Sequence, residues 1–192
     1  MRRTNFNKEK PLAEIERLRI ALLKIPLYLT VTVNWLKQQN GIDTNRISLL
    51  GYSFGALVLP AVQHHLQETG FYPAATIISY GAVNIAELLE FNFSGQSTWL
   101  NPISSHLLQS LIYPIEPEMH LPELKGQFLL MNGKLDKRIP FQNALKLQEL
   151  VRQPKTIINL DEGHMHPDKP ELTLKIIRIS KDWLFEKRLI NQ

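Results

Sequence analysis

The sequence predicts an α/β fold, with a mostly parallel sheet flanked by helices. Three observations carry this expectation. Short apolar runs recur at residues 46–50, 75–79, 126–131 and 156–160. They lack strict apolar/polar alternation, as expected of strands covered on both faces. Segments of helical periodicity stand between or beside them, the alternation that builds parallel sheets.

In chain order, residues 11–39 read as helical. Leu12, Ile15, Leu18 and Leu22 keep three-to-four spacing, and Gly41 stops the run. Pro26 is expected to kink or divide that helix. The β-branched stretch 30–33 makes a strand the local alternative. A turn-like segment, 41–45, leads into the first strand. Residues 56–68 read as a helix ended by Gly70. The second strand, 75–79, is followed by 82–125, which breaks the rhythm. That stretch holds Phe91, Phe93, Trp99, Pro102, Tyr113, Pro114 and Pro117. It is too long for a bare loop, so a helical insertion over one end of the sheet is expected. The third and fourth strands bracket a helix at 141–151. A last helix, 172–189, puts Leu172, Ile176, Ile179 and Trp183 on one face.

The 192 residues suit one domain. With 44% hydrophobic and 21% charged residues, wholesale disorder and a collagen-like repeat are excluded. The net charge of +4 is spread along the chain without a basic stripe interleaved with aromatics, so no nucleic-acid partner is expected. Zero cysteines exclude a disulfide scaffold, a thiolate metal site and a cysteine nucleophile. No apolar core follows the basic N-terminus, so no signal peptide is read. The most apolar stretch, 20–36, carries Lys24, Pro26, Thr30, Thr32 and Asn34. It reads as a buried helix rather than a membrane span. A cytoplasmic protein is expected.

The chemistry lies in Gly51-Tyr52-Ser53-Phe54-Gly55. This G-x-S-x-G follows a predicted strand and precedes a predicted helix, the setting of a nucleophile elbow. The turn is tight, and its flanking glycines supply small neighbours. It would lift the Ser53 hydroxyl above the strand ends, where the Phe54 backbone N–H can donate to a developing oxyanion. The competing reading is a glycine-rich turn with a helix-capping serine.

A serine nucleophile needs a base, and the base an orienting acid. Asp136 follows the third strand and His164 the fourth, in the chain order Ser, acid, His. All three fall at the carboxyl ends of parallel strands, where open α/β sheets place their sites. His166 competes as the base, although the glycine before His164 favours His164. Asp136 doubles as an ordinary turn residue, with Asp161 and Glu162 as fallback acids. His164, His166 and Asp168 also form a weak metal signature, because no third ligand stands at firm spacing. His64 and His65 read as surface, and His106 and His120 as exposed loop histidines.

On residues 42–55, 129–136 with Ile139-Pro140, and Glu162-Gly163-His164, the chain resembles the α/β-hydrolase family from about residue 12 to its end. The resemblance implies Ser53 as nucleophile, His164 as base, Asp136 as acid and Phe54 as one oxyanion donor. It implies a cofactor-free esterase acting on a small-molecule acyl substrate, with 82–125 as the substrate-covering cap. In that family four strands precede the elbow strand, and a glycine-rich loop supplies the second oxyanion donor. Here only 46 residues precede Ile47, they read as helix, and no His-Gly-Gly loop occurs. The strand at 47–50 is therefore expected at an exposed sheet edge, a pairing liability. A missing N-terminal segment or a homo-oligomer would cover it. Two functional readings follow: a serine hydrolase, or a hydrolase-derived binding module without turnover.

Overall fold

The computed structural model describes residues 11–93, 110 and 112–191. Four strands form one parallel sheet in the order β1-β2-β3-β4: β1 Ser48–Tyr52, β2 Ala75–Ser79, β3 Phe128–Gly133 and β4 Lys155–Leu160. The pairing runs in register from Ser48 opposite Ala75 to Tyr52 opposite Ser79, and from Phe128 opposite Lys155 to Gly133 opposite Leu160. The two inner strands are wholly buried, whereas β1 alternates buried Leu49 and Gly51 with more exposed residues and β4 is half-buried apart from exposed Ile157.

Helices α1 Pro11–Leu36, α2 Phe54–Glu68, α3 Ile85–Phe93, α4 Pro117–His120, α5 Phe141–Leu150 and α6 Pro170–Glu186 complete the described elements beside short 3-10 turns. Sequential parallel strands joined by crossovers of one hand place the connecting helices on one face. The cores agree. Leu49, Ile78, Phe128 and Leu130 pack with Leu59, Val62 and Leu66 of α2 and Leu147 of α5. The alternate residues Ile77, Leu129 and Met131 face the other way, onto Leu172, Ile176, Trp183 and Leu184 of α6.

Several expectations shift in detail. The helix α1 runs through Pro26 as one element, and the stretch 30–33 is helical within it. It forms an outer layer on α2, through Leu22, Leu23 and Ile25 against Val58 and Ala61. On its other side Leu27, Tyr28, Val31 and Trp35 are exposed. As expected, β1 is an edge strand, and its Leu50 is 44% exposed. Of the stretch 82–125, residues 94–109 and 111 lie outside the described residues, including Trp99, Pro102 and His106. Its second half packs Ile112 and Ile115 on the flank of α2 rather than over the strand ends. Phe91 and Tyr113 are exposed. His120 is a correction too. It is 8% exposed, its Nε2 bonds the Pro114 carbonyl at 2.9 Å, and its Nδ1 lies 3.0 Å from His64 Nδ1.

Candidate active site

The chain turns from β1 into α2 at Ser53, whose φ of 52° and ψ of −117° lie outside the regions open to most residues. Such a conformation costs on the order of 1–3 kcal/mol and persists only when its surroundings enforce it. Gly51 is one cause. A Cβ there would stand 2.7 Å from the Gly55 carbonyl oxygen, so only glycine lets strand and helix meet this closely. Gly55 does not carry the same demand, because nothing lies within 4 Å of the Cβ it lacks. The expectation of two sterically required glycines therefore holds for Gly51 alone.

Ser53 does not cap α2, since its side chain makes no capping bond. Its hydroxyl lies 2.8 Å from His164 Nε2. His164 Nδ1 lies 2.6 Å from Asp136 Oδ2. Nδ1–H donating to the carboxylate leaves Nε2 as the acceptor for the Ser53 hydroxyl. The Asp136 and His164 side chains are only 2% and 10% exposed, so water competes little for this pair. The other carboxylate oxygen of Asp136 accepts the backbone N–H groups of Arg138 at 2.7 Å and Ile139 at 3.1 Å. Asp136 is thus both the turn residue and the partner of His164, and the turn fixes the direction in which the carboxylate points.

The competing residues are engaged elsewhere. His166 Nδ1 pairs with Asp168 at 3.0 Å, Asp161 with Lys134 at 2.8 Å, and Glu162 with Lys175 at 3.0 Å. Among the described residues no group of three His, Asp or Glu is placed to hold a metal ion. Ser53 N–H donates to the Ser79 carbonyl at 2.9 Å. The N–H of Phe54, the first residue of α2, has no acceptor within the helix and sits beside the serine.

Two supporting residues went unread in the sequence. Tyr80, just past β2, has a φ of 57° and is fully buried. Its ring meets His164 edge-on, 5.2 Å between centroids. Burial first, then the Asp136 and Glu162 carboxylates, push its hydroxyl up to about 12. Gly133 ends β3 directly beneath the His164 loop. A Cβ there would stand 2.4 Å from the Glu162 carbonyl oxygen and 2.9 Å from that of Gly163. Both roles arise from contacts across the sheet, for which no local motif exists.

Beside Ser53 a cavity of about 330 Å³ has Phe54, Leu57, Ile85, Leu88 and Ile139 as apolar walls, with Arg138 and His164 at its border.

A parallel sheet with an elbow at one strand end, and His and Asp on loops from later strands, defines an α/β-hydrolase fold. The sequence profile of the prolyl oligopeptidase family matches residues 29–188, and the chain belongs to that family. No curated protein matches it in direct sequence comparison. Among solved structures, an esterase of Pyrococcus furiosus aligns with a TM-score of 0.61 at 16% identity, over 85% of this chain and 62% of that one. Acetyl xylan esterase 1 of Thermoanaerobacterium sp. aligns with a TM-score of 0.59 at 15% identity, over 87% and 53%. The α/β-hydrolase GrgF of Penicillium sp. aligns with a TM-score of 0.63 at 16% identity, over 86% and 72%. At such identities the likeness is one of fold. The chain spans about half to three-fifths of the length of the two esterases.

Among the described residues no helix is long and apolar enough to cross a membrane.

Proposed function

We propose that the chain carries the catalytic apparatus of a serine hydrolase that cleaves small carboxylic esters through an acyl-enzyme. The observation that carries this reading is the continuous relay of hydrogen-bond distances, 2.8 Å from Ser53 to His164 and 2.6 Å from His164 to Asp136. In this reading Ser53 Oγ attacks the ester carbonyl carbon while His164 Nε2 takes its proton. Asp136 holds the imidazole in the tautomer that can accept that proton and stabilises the imidazolium formed. The Phe54 N–H donates to the oxyanion. Collapse breaks the bond to the leaving alcohol, which receives the proton from His164 Nε2–H. Water then attacks the acyl-enzyme with His164 as base, releasing the acid and restoring Ser53.

The apolar cavity beside Ser53 suits a short acyl chain. Esters are favoured over amides because one oxyanion donor serves a reactive carbonyl better than a resonance-stabilised one. The esterases among the structural neighbours point the same way. The exposed β1 edge favours the second reading, a hydrolase-derived module that binds without turnover.

A fluorophosphonate probe separates the two. Labelling of the wild-type protein that vanishes in Ser53→Ala and falls sharply in His164→Ala supports an activated serine. Well-folded protein that takes no label supports the module.

A further inference from the structure

We propose that the site takes esters whose leaving group carries an anion, a carboxylate or a phosphate, held by Lys137, Arg138 and Lys169. This rests on the hydrolase reading above and names its substrate class. A second cavity of about 370 Å³ lies against His164 and shares Arg138 with the apolar one. Its lining is cationic, with Lys137, Arg138 and Lys169 beside Gly163, His164 and His166. The Lys169 ammonium sits over Gly163, the residue before His164.

The formal charges of the two loops sum to zero, but they are unevenly placed. Asp136 faces His164, Asp161 faces Lys134, Glu162 faces Lys175, and Asp168 faces His166. Glu171 lines a different cavity, together with Glu162, Asp168 and Lys169. Among the described residues, Lys137, Arg138 and Lys169 are left with no carboxylate within ion-pair distance. Three cations around one concavity attract an anion, at a range set by a Debye length of about 10 Å in ordinary buffer.

The position assigns the anion to the leaving group. His164 returns its proton to the departing alcohol, so that alcohol lies on the imidazole side of the scissile bond. The cationic cavity borders His164 but not Ser53, whereas the apolar cavity is lined by Ser53, Phe54 and Leu57 as well as His164. A substrate spanning both places its hydrocarbon in the second and its charge in the first.

The test compares kcat/KM for the butyrate esters of 4-hydroxybenzoate and of neutral 4-hydroxybenzamide. A phosphate-bearing phenyl butyrate serves as a third arm that distinguishes the two anions. The anionic-to-neutral ratio is expected to fall about two- to five-fold for each of Lys137→Ala, Arg138→Ala and Lys169→Ala, as exposed charges allow. High salt is expected to lower the same ratio in the wild type. A ratio indifferent to all three substitutions and to salt overturns the proposal.

A binding arm is independent of turnover. Ser53→Ala protein titrated calorimetrically is expected to bind 4-hydroxybenzoate or phenyl phosphate more tightly than 4-hydroxybenzamide, and to lose the difference when Lys137→Ala and Lys169→Ala are added. Equal binding of acid and amide refutes the subsite even if Ser53 labels. Absent labelling with retained anion binding refutes the hydrolase reading alone.

Discussion

Replacing Gly133 with alanine tests whether close backbone packing sets the position of His164. The new methyl would lie 2.4 Å from the Glu162 carbonyl oxygen, 2.9 Å from that of Gly163 and 3.1 Å from Tyr80 Cε1. The two oxygens are backbone, so no side-chain rotation relieves the clash. Ordinary contact begins at 3.4 Å, so the loop at 162–164 must retreat by about 1 Å. The retreat stretches the bond from Leu135 N–H to the Glu162 carbonyl, now 3.0 Å. It also carries the imidazole away from a serine hydroxyl at 2.8 Å, past the useful hydrogen-bond range. A displacement of that size costs on the order of 10² in rate, and overpacking costs roughly 1–3 kcal/mol of stability. The assays are kcat on p-nitrophenyl butyrate, the rate of fluorophosphonate labelling, and thermal melting. Gly55→Ala serves as the stability control. Its Cβ meets nothing within 4 Å and it lies in a helix, so it should melt at or above the wild-type temperature. Wild-type labelling and melting in Gly133→Ala would refute the packing account.

Tyr80→Phe removes a buried hydroxyl that has no hydrogen-bond partner, so a gain of about 1 kcal/mol in urea unfolding is expected, with the ring still against His164. Tyr80→Ala, which withdraws the ring, should slow labelling. Glu116 is buried and accepts the Asn84 N–H at 2.8 Å and the Ile85 N–H at 3.0 Å, which begin α3. Glu116→Ala leaves both donors unpaired, and a loss of about 2 kcal/mol in urea unfolding is expected. Burial holds the His120 imidazole below its ordinary value of 6.5, outweighing the Pro114 carbonyl; His64 and His65 act in the same direction, and Glu68 opposes them. Folding therefore disfavours its protonation. Its contribution to stability is complete above pH 6.5 and is lost as pH falls from there toward the lowered folded value. Melting temperature followed from neutral to mildly acid pH should show this decline, and His120→Gln should flatten it.

The sheet was legible because its inner strands are apolar without alternation, and β2 and β3 are indeed buried on both faces. The edges of elements were less so. The first strand lies at Ser48–Tyr52 because β2 offers partners as far as Ser79, and no propensity at Gly51 signals that. Helix α2 begins at Phe54 because Ser53 takes the strained turn alone. Ser53, Asp136 and His164 could be named from local pattern and chain order, and the fold brings them within hydrogen-bond distance. His120 was misread as an exposed loop residue because its partners, His64 and the Pro114 carbonyl, are assembled by tertiary packing. Gly55 was over-read for the opposite reason. A motif marks it as small, but the space beside it is open.

The relay has to bridge the whole sheet, and that requirement explains the two residues that no motif names. Ser53 leaves β1 and His164 leaves β4, with β2 and β3 between them. At about 4.8 Å per strand spacing the two exits lie about 14 Å apart. The loop after β4 must therefore fold back across the ends of β3 and β2 before the imidazole can meet the hydroxyl. At β3 it can lie flat only over a residue without a side chain, which is Gly133. At β2 it needs a surface at the right height, and Tyr80, turned inward by its positive φ, presents its ring edge to His164. Asp136, leaving β3 midway along this path, pulls the imidazole from the other side at 2.6 Å. The approach of His164 to Ser53 thus depends on the packing of a loop over two strand ends as directly as on the three side chains themselves.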